Sequence, residues 1–466
     1  MQHNESFNYL TIASVKTLHT MKQNTVQCTV SNKTHYTCAF LSLSCLALMS
    51  NLAKDPRIIH LDLAIIGGGA AGLWLLNRAQ AEGYQCALFE HKALGSDQTL
   101  ASQGMIHGGM KYTLGGALSS ASESIAQMPD YWRTCLAGKG DVDLRQTQLL
   151  SDHFFLWSSA TASSRLTTFL ASKLVRGRVD TVPATQRPAL LQHPAFRGSL
   201  YQLADLVLDV PSLLSNLAQP VSNRLCLIDW AQSRLVRTAT GQVELQCNHI
   251  PLVIRARRFI FMAGKGNAEL LAQLNLDSPA MQERPLQQVM VKHHLPYRFY
   301  GHCLGTETTP RLTISSHPTA DGKLVWYLGG SLAEKGAHQT PAEVIAAAQR
   351  EITELMPWVN LQNAEWASLP IVRAEHRQPR QSRPDDAFVG PAAGVDNLLV
   401  AWPTKLTLVP KLANQIIALL AQHPAKPEAN TTVIESFRPY FPEPRLAPSP
   451  WEAAFPVAAP ARAKVH

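Results

Sequence analysis

Leu61-Asp62-Leu63-Ala64-Ile65-Ile66-Gly67-Gly68-Gly69-Ala70-Ala71-Gly72 is the stretch that decides the fold class. The six residues before the glycines are almost continuously apolar and partly β-branched, as a parallel strand buried on both faces requires. A helical segment follows through Ala81, with a turn at Gly83. In that setting Gly67 permits the tight turn, Gly69 lets backbone approach a pyrophosphate, and Gly72 lets the helix pack closely on the strand. Ala71 belongs to the first helical turn, whose dipole favours phosphate charge.

A second strand, Cys86-Ala87-Leu88-Phe89, ends at Glu90, 23 residues after Gly67 (90 − 67). A carboxylate there can accept hydrogen bonds from the adenosine ribose hydroxyls and repels a 2′-phosphate, so NADP is disfavoured. FAD and NAD both use such a unit, and the rest of the chain has to choose between them.

At 466 residues the chain exceeds what one hydrophobic core usually serves, which predicts two closely packed domains. Hydrophobic content of 46% with 16% charge excludes a collagenous or broadly disordered chain. The net charge of +8 is spread without a Lys/Arg run, so it favours anionic ligands or an anionic membrane surface, and no nucleic-acid partner is expected. Eight cysteines (28, 38, 45, 86, 135, 226, 247, 303) form no CxxC pair, which reads as reduced thiols in a cytoplasmic protein. His293 and His294 are neighbours on a strand and point to opposite faces, so no metal site is expected.

Residues 1–56 read as an N-terminal extension. Their apolar stretch, Cys38 to Ala53, has about sixteen residues, short of the roughly twenty a spanning helix needs. Mixed sequence precedes it, unlike a secretory signal. Met49-Ser50-Asn51-Leu52-Ala53-Lys54 leads straight into the first strand, and translation is expected to begin at Met49.

Thr99-Leu100-Ala101-Ser102-Gln103-Gly104-Met105-Ile106-His107-Gly108-Gly109-Met110-Lys111-Tyr112 resembles the flavin-contacting segment of the glycerol-3-phosphate dehydrogenase branch of the FAD-dependent D-amino-acid-oxidase-like superfamily. That branch carries a Ser-rich stretch followed by Ile-His-Gly-Gly-Leu-Arg-Tyr. Phe259-Ile260-Phe261-Met262-Ala263-Gly264 resembles its strand ending in Ala-Gly beside the FAD. Thr404-Lys405-Leu406-Thr407, after the strand Asn397 to Trp402 and before Lys411-Leu412-Ala413, is similar to its Gly-Lys-Leu-Thr turn and following helix.

The resemblance implies an α/β fold: a Rossmann-like FAD-binding domain built from discontinuous segments, plus a sheet-containing substrate domain. The expected segments are 58–145, 203–285 and 385–423 for FAD, and 146–202 and 286–384 for substrate. Residues 424–466 form a Pro-rich tail, read as an extended strap or disordered chain. FAD contacts are expected from Gly67, Gly69, Ala71, Gly72, Glu90, Ser102, Gly108, Ala263, Gly264, Lys405, Leu406 and Thr407.

Local patterning predicts strands at Arg224 to Asp229, Gln242 to Gln246, Leu252 to Ile260, Leu286 to Val291 and Leu324 to Gly329. It predicts helices at Asp209 to Leu217 and Ala342 to Met356. Ser164 to Arg178 places Leu166, Phe169, Leu170 and Leu174 on one helical face with basic residues around them. Such a helix packs inward or lies on an anionic membrane, which makes peripheral contact with the inner face of the membrane a second location to consider.

Flavin oxidation of an alcohol needs a hydride acceptor, a base for the O–H proton, and positive charge to orient an anionic substrate. His107, next to the expected flavin ring, is the candidate base. Lys111 stands where the branch carries Arg, keeping the charge but losing the bidentate fork. Arg373, in Pro370-Ile371-Val372-Arg373, resembles the family's arginine over the substrate, and Lys405 can pair with substrate or stabilise negative charge on reduced flavin. Arg377, Arg380 and Arg383 read as a solvated loop.

The leading expectation is oxidation of a small anionic alcohol, glycerol 3-phosphate first, with a quinone or oxygen as electron acceptor. An L-2-hydroxyglutarate-type hydroxy-acid oxidase is the near alternative, and an amine or amino-acid oxidase or a non-catalytic FAD binder are the others.

Overall fold

A computed structural model describes residues 56–109, 125–159, 179–305, 307, 309–422 and 431–456. Arg57–Ile66 forms the opening strand and Ala70–Ala81 the helix after the glycines. Leu63 and Ile65 enter one core and Ala64 and Ile66 the other, because successive side chains on a strand leave opposite faces. The continuous apolar run therefore has a structural cause: both faces are covered.

This strand lies in an eight-stranded sheet. It pairs in parallel with Cys86–Glu90 on one side and Leu252–Phe261 on the other. The far edge of Leu252–Phe261 is shared: Val243–Cys247 runs antiparallel along its start, and Leu398–Trp402 parallel along its end. Helices Ala70–Ala81, Val210–Ala218 and Val409–Ala421 supply Leu73, Leu213 and Leu412 to the core on one face. Asp209 caps the second of these by accepting from Ser212 N–H, which accounts for its predicted start.

The second eight-stranded sheet is built from Phe154–Ser158, Val179–Thr181, Leu200–Leu203 and five strands between residues 281 and 376. The expected strand Leu286 to Val291 is the middle of a longer one, Met281–His293, which pairs along its length with Glu365–His376. Pro341–Leu355 packs Val344, Ala348 and Ile352 on this sheet, its start held by a capping box between Thr340 and Glu343.

The Pro-rich tail is a strap where it is described, and it contains short helices, Thr431–Phe437 and Pro450–Ala454, that the proline content did not suggest. Leu94 N–H donates to Arg445 O at 2.8 Å and Leu227 N–H to Pro442 O at 2.7 Å. Ile434, Phe437 and Phe441 enter the core of the first sheet, while Trp451 and Phe455 pack on Met290, Val325 and Tyr327 of the second.

Cys86, Cys135, Cys226, Cys247 and Cys303 are buried free thiols. Among the described residues, no helix is long and apolar enough to cross a membrane. Ser164 to Arg178 and Lys111 lie outside the described residues.

Candidate active site

Register brings the chemistry to one edge of the first sheet. Ile66 stands opposite Phe89 and Phe261, and Phe261 opposite Val400. Gly67, Glu90, Ala263-Gly264 and the turn after Trp402 therefore share the carboxyl end of the parallel strands, where open α/β sheets bind ligands.

Gly67 and Gly72 leave no room for side chains. Gly67 has φ +120°, and a Cβ on it would lie 2.6 Å from Met262 O; one on Gly72 would lie 2.0 Å from Gly67 O. Gly69 caps the helix without a side-chain hydrogen bond, and Ala70 N–H donates to Thr99 Oγ1 at 3.2 Å. Ala71 sits in the same first turn, whose N–H groups have no acceptor within the helix and form an anion cradle.

Glu90 accepts from Gly68 N–H at 2.7 Å through Oε2, and from His91 and Lys92 N–H at 2.8 Å through Oε1. Burial alone would raise its pKa, but the His91 side chain, 3.3 Å from Oε1, and then the Lys92 and Gly68 N–H bonds outweigh burial and hold it below the ordinary carboxyl value. The carboxylate stays ionised and keeps lone pairs for further donors.

The strand expected to end at Ala263-Gly264 ends at Phe261, and the two residues form the turn into helix Gly266–Gln273. Buried Asn267 pins that turn: its Oδ1 accepts from Ala263 N–H at 2.8 Å, and its Nδ2 donates to Ala401 O at 3.2 Å. The Lys405-Leu406-Thr407 turn is held from another side, Trp132 Nε1 donating to Thr407 O at 3.1 Å. Helix does not begin at Thr404, which has φ +63°; Leu406–Leu408 is a single 3-10 turn leading into Val409–Ala421.

The Thr99 to Gly109 segment bridges the two sheets. Gln98 Oε1 accepts from Ala374 N–H at 3.1 Å, Gln103 Nε2 donates to Tyr327 O at 2.9 Å, and Tyr327 Oη donates to Ala101 O at 2.9 Å. Between these ties Ser102 Oγ is buried without a hydrogen-bond partner among the described residues. A lone buried hydroxyl beside a glycine cradle fits a polar cofactor, since leaving it unmet costs about 1–3 kcal/mol.

His107 N–H donates to Thr407 Oγ1 at 2.9 Å, and the ring lies with Nδ1 3.4 Å from Asp205 Oδ2. The other oxygen of Asp205 accepts from Gly108 N–H at 2.7 Å. The His302 ring stacks on that of His107, centroids 6.1 Å apart.

Arg373 stands directly opposite Arg284 in the register of the second sheet. Like charges so placed repel, and Glu334 (3.6 Å from Arg373) and Glu375 (3.7 Å from Arg284) partly compensate. Burial, then Arg284 and Arg383, lowers the Arg373 pKa to about 10. Burial and Arg383 lower that of Lys405 to about 8, while Lys405 Nζ donates to Asp385 O at 2.8 Å. Arg383, expected to be only a solvated loop residue, thus contributes to the field at both cations although its side chain is exposed.

Residues 62–404 match the family described as DAO, FAD dependent oxidoreductase. The chain belongs to that family. A Pseudomonas aeruginosa protein named a probable FAD-dependent oxidoreductase is 43% identical over 401 residues, 86% of this chain and 100% of the relative. Its crystal structure superposes with a TM-score of 0.71 at 38% identity, covering 86% of this chain and 99% of that one. Fold likeness extends to glycine oxidase of Geobacillus kaustophilus, with a TM-score of 0.57 at 17% identity over 78% of this chain and 95% of that one. It also extends to L-α-glycerophosphate oxidase of Mycoplasma pneumoniae with FAD bound, at a TM-score of 0.55 and 12% identity over 78% and 95%. This member of the DAO family is therefore an FAD-dependent oxidoreductase with a mixed α/β, Rossmann-like fold.

Thr99, Gln98, Gln103, Asp205, Arg284, His302 and Asn267 escaped the sequence reading. The first three lie in or beside Thr99 to Tyr112, where their polar character was a usable signal. Asp205 and Arg284 carry none, because strand register alone places them.

Proposed function

We propose that the protein oxidises a small anionic alcohol to the carbonyl compound, with glycerol 3-phosphate the first candidate. The reading is carried by one observation: two half-buried cations, Arg373 and Lys405, have pKa values depressed by burial and by neighbouring positive charge. An anion bound beside such a group relieves that cost, so each favours a phosphate or carboxylate.

The cofactor would be held by the chain's own donors. Gly67, Gly69, Ala71 and Gly72 cradle the pyrophosphate, Glu90 accepts from the ribose, and Ser102, Gly108, Ala263, Gly264, Lys405, Leu406 and Thr407 line the path to the ring. FAD when bound supplies the hydride acceptor. Arg373 and Lys405 orient the substrate, Lys111 adds charge, and His107 takes the O–H proton. In this assignment 58–145, 203–285 and 385–423 serve FAD, and 146–202 and 286–384 serve substrate. The electron acceptor is a quinone or oxygen, the former consistent with peripheral membrane contact.

Arg284 beside Arg373 supports a second reading, a 2-hydroxy dicarboxylate of the L-2-hydroxyglutarate type, because a second carboxylate would find its own guanidinium. Anaerobic bleaching of the flavin absorbance, screened with glycerol 3-phosphate, 2-hydroxy acids and amino acids, tests both. Bleaching by amino acids alone moves the enzyme to CH–NH chemistry, and bleaching by none leaves an FAD-binding protein without this activity.

A further inference from the structure

We infer that Asp205 and His107 form a carboxylate–imidazole dyad in which Asp205 fixes the tautomer and pose of the base. The inference rests on the reading of His107 as that base. Strand register creates the pair: Met105–Ile106 runs antiparallel to Leu206–Leu208, with Ile106 opposite Leu206 and Met105 opposite Val207. The residue leaving the first strand, His107, thereby meets the residue entering the second, Asp205.

Asp205 is 4% exposed. Its Oδ1 is committed to Gly108 N–H at 2.7 Å, which fixes the carboxylate plane, and its Oδ2 lies 3.4 Å from His107 Nδ1. The pair approaches at ion-pair distance without forming a hydrogen bond in this structure; closed into one, it keeps a proton on Nδ1 and leaves the lone pair of the neutral imidazole on Nε2. The pose is fixed on two further sides. Thr407 Oγ1 accepts from His107 N–H, and the His302 ring lies nearly parallel at 17°, itself anchored by a 2.8 Å contact between its Nδ1 and Thr313 Oγ1. Among the described residues, Asp205, from the connection after Leu200–Leu203, and His302, from Gly301–Leu304, face the His107 ring.

In the reaction His107 Nε2 would take the alcohol O–H proton, and bound FAD would supply the acceptor for the C–H hydride and its two electrons, so that the C–O bond becomes C=O. The imidazolium so formed is stabilised by the Asp205 carboxylate. In this role Asp205 is a positioning residue that acts through His107.

Asp205→Asn keeps an oxygen for Gly108 N–H but presents an amide donor to Nδ1, favouring the wrong tautomer. The expected result is a flavin-reduction rate lowered roughly 10²- to 10⁴-fold, the range of positioned proton transfer, with FAD still bound. Because a carboxylate raises an imidazole pKa, the alkaline-rising limb of the residual activity also moves to lower pH. A rate within threefold of the parent, while His107→Gln is strongly impaired, overturns the dyad. An unimpaired His107→Gln instead overturns the assignment of His107 as base. If Asp205→Asn does not fold, nitrogen NMR of labelled histidine in the unmodified protein decides: a neutral His107 protonated on Nδ1 supports the dyad, and one protonated on Nε2 refutes it.

Discussion

His107 N–H donates to Thr407 Oγ1 at 2.9 Å, joining residues 300 positions apart in the chain. Thr407 is fully buried, and its carbonyl accepts from Trp132 Nε1. The Thr99 to Gly109 segment and the Lys405-Leu406-Thr407 turn are therefore one unit. Thr407→Val removes the acceptor and strands the His107 N–H, at a cost of about 1–3 kcal/mol. Chemical denaturation is expected to show that loss along with weaker FAD retention, and Thr407→Ser to restore both.

Gly72 and Gly83 give a contrast. A Cβ at Gly72 would sit 2.0 Å from Gly67 O, whereas one at Gly83, with φ +83°, meets nothing within 4 Å. Gly72→Ala is expected to yield protein without flavin absorbance. Gly83→Ala should keep the full visible spectrum and lose only about 1–2 kcal/mol for its left-handed backbone.

Lys405 has a folded pKa of about 8, below the ordinary lysine value through burial and then Arg383. Its charge is lost as pH rises past 8, so affinity for an anionic substrate should fall between pH 7 and 9, measured as KM across that range. Lys405→Arg should flatten the fall, and Lys405→Met should give weak, pH-independent affinity. Bound anion raises this pKa, and the window then shifts upward. For stability the sign is opposite: the unfolded chain holds the Lys405 proton more tightly, so this group's destabilising contribution is present in full below pH 8 and relieved as pH rises toward the ordinary value.

Trp451 of the C-terminal strap is buried and stacks on His317, ring centroids 4.2 Å apart, while Tyr327 beside it donates to Ala101 O. Trp451→Ala is expected to cost about 3–5 kcal/mol, the range for a large buried ring. Faster FAD release should accompany the loss, because the Ala101 tie belongs to the segment proposed to line the flavin. Stopped-flow release of FAD and a thermal melt read the two effects.

The Gly67 to Gly72 loop, Glu90 and the capped helices were legible because their causes are local. A turn with φ +120° excludes side chains, a strand covered on both faces must be apolar throughout, and a cap bonds its own first turn. His107, Arg373 and Lys405 were legible only as residue types within matched motifs. Nothing near Arg373 in the sequence says that Arg284 stands opposite it, since that follows from the register of two strands far apart in the chain.

By itself, then, the sequence determined a dinucleotide-binding βαβ unit and, through the segments Thr99 to Tyr112 and Thr404 to Thr407, the identity of its cofactor. Only the tertiary structure decided which partners those residues have. Asp205 reaches Gly108 across 97 positions, and Gln98 reaches Ala374 across 276. Backbone sterics and strand patterning act within a few residues and leave their mark in composition. Hydrogen bonds between remote segments depend on how sheets register and pack, so the environment of the candidate base appears only once the chain is folded.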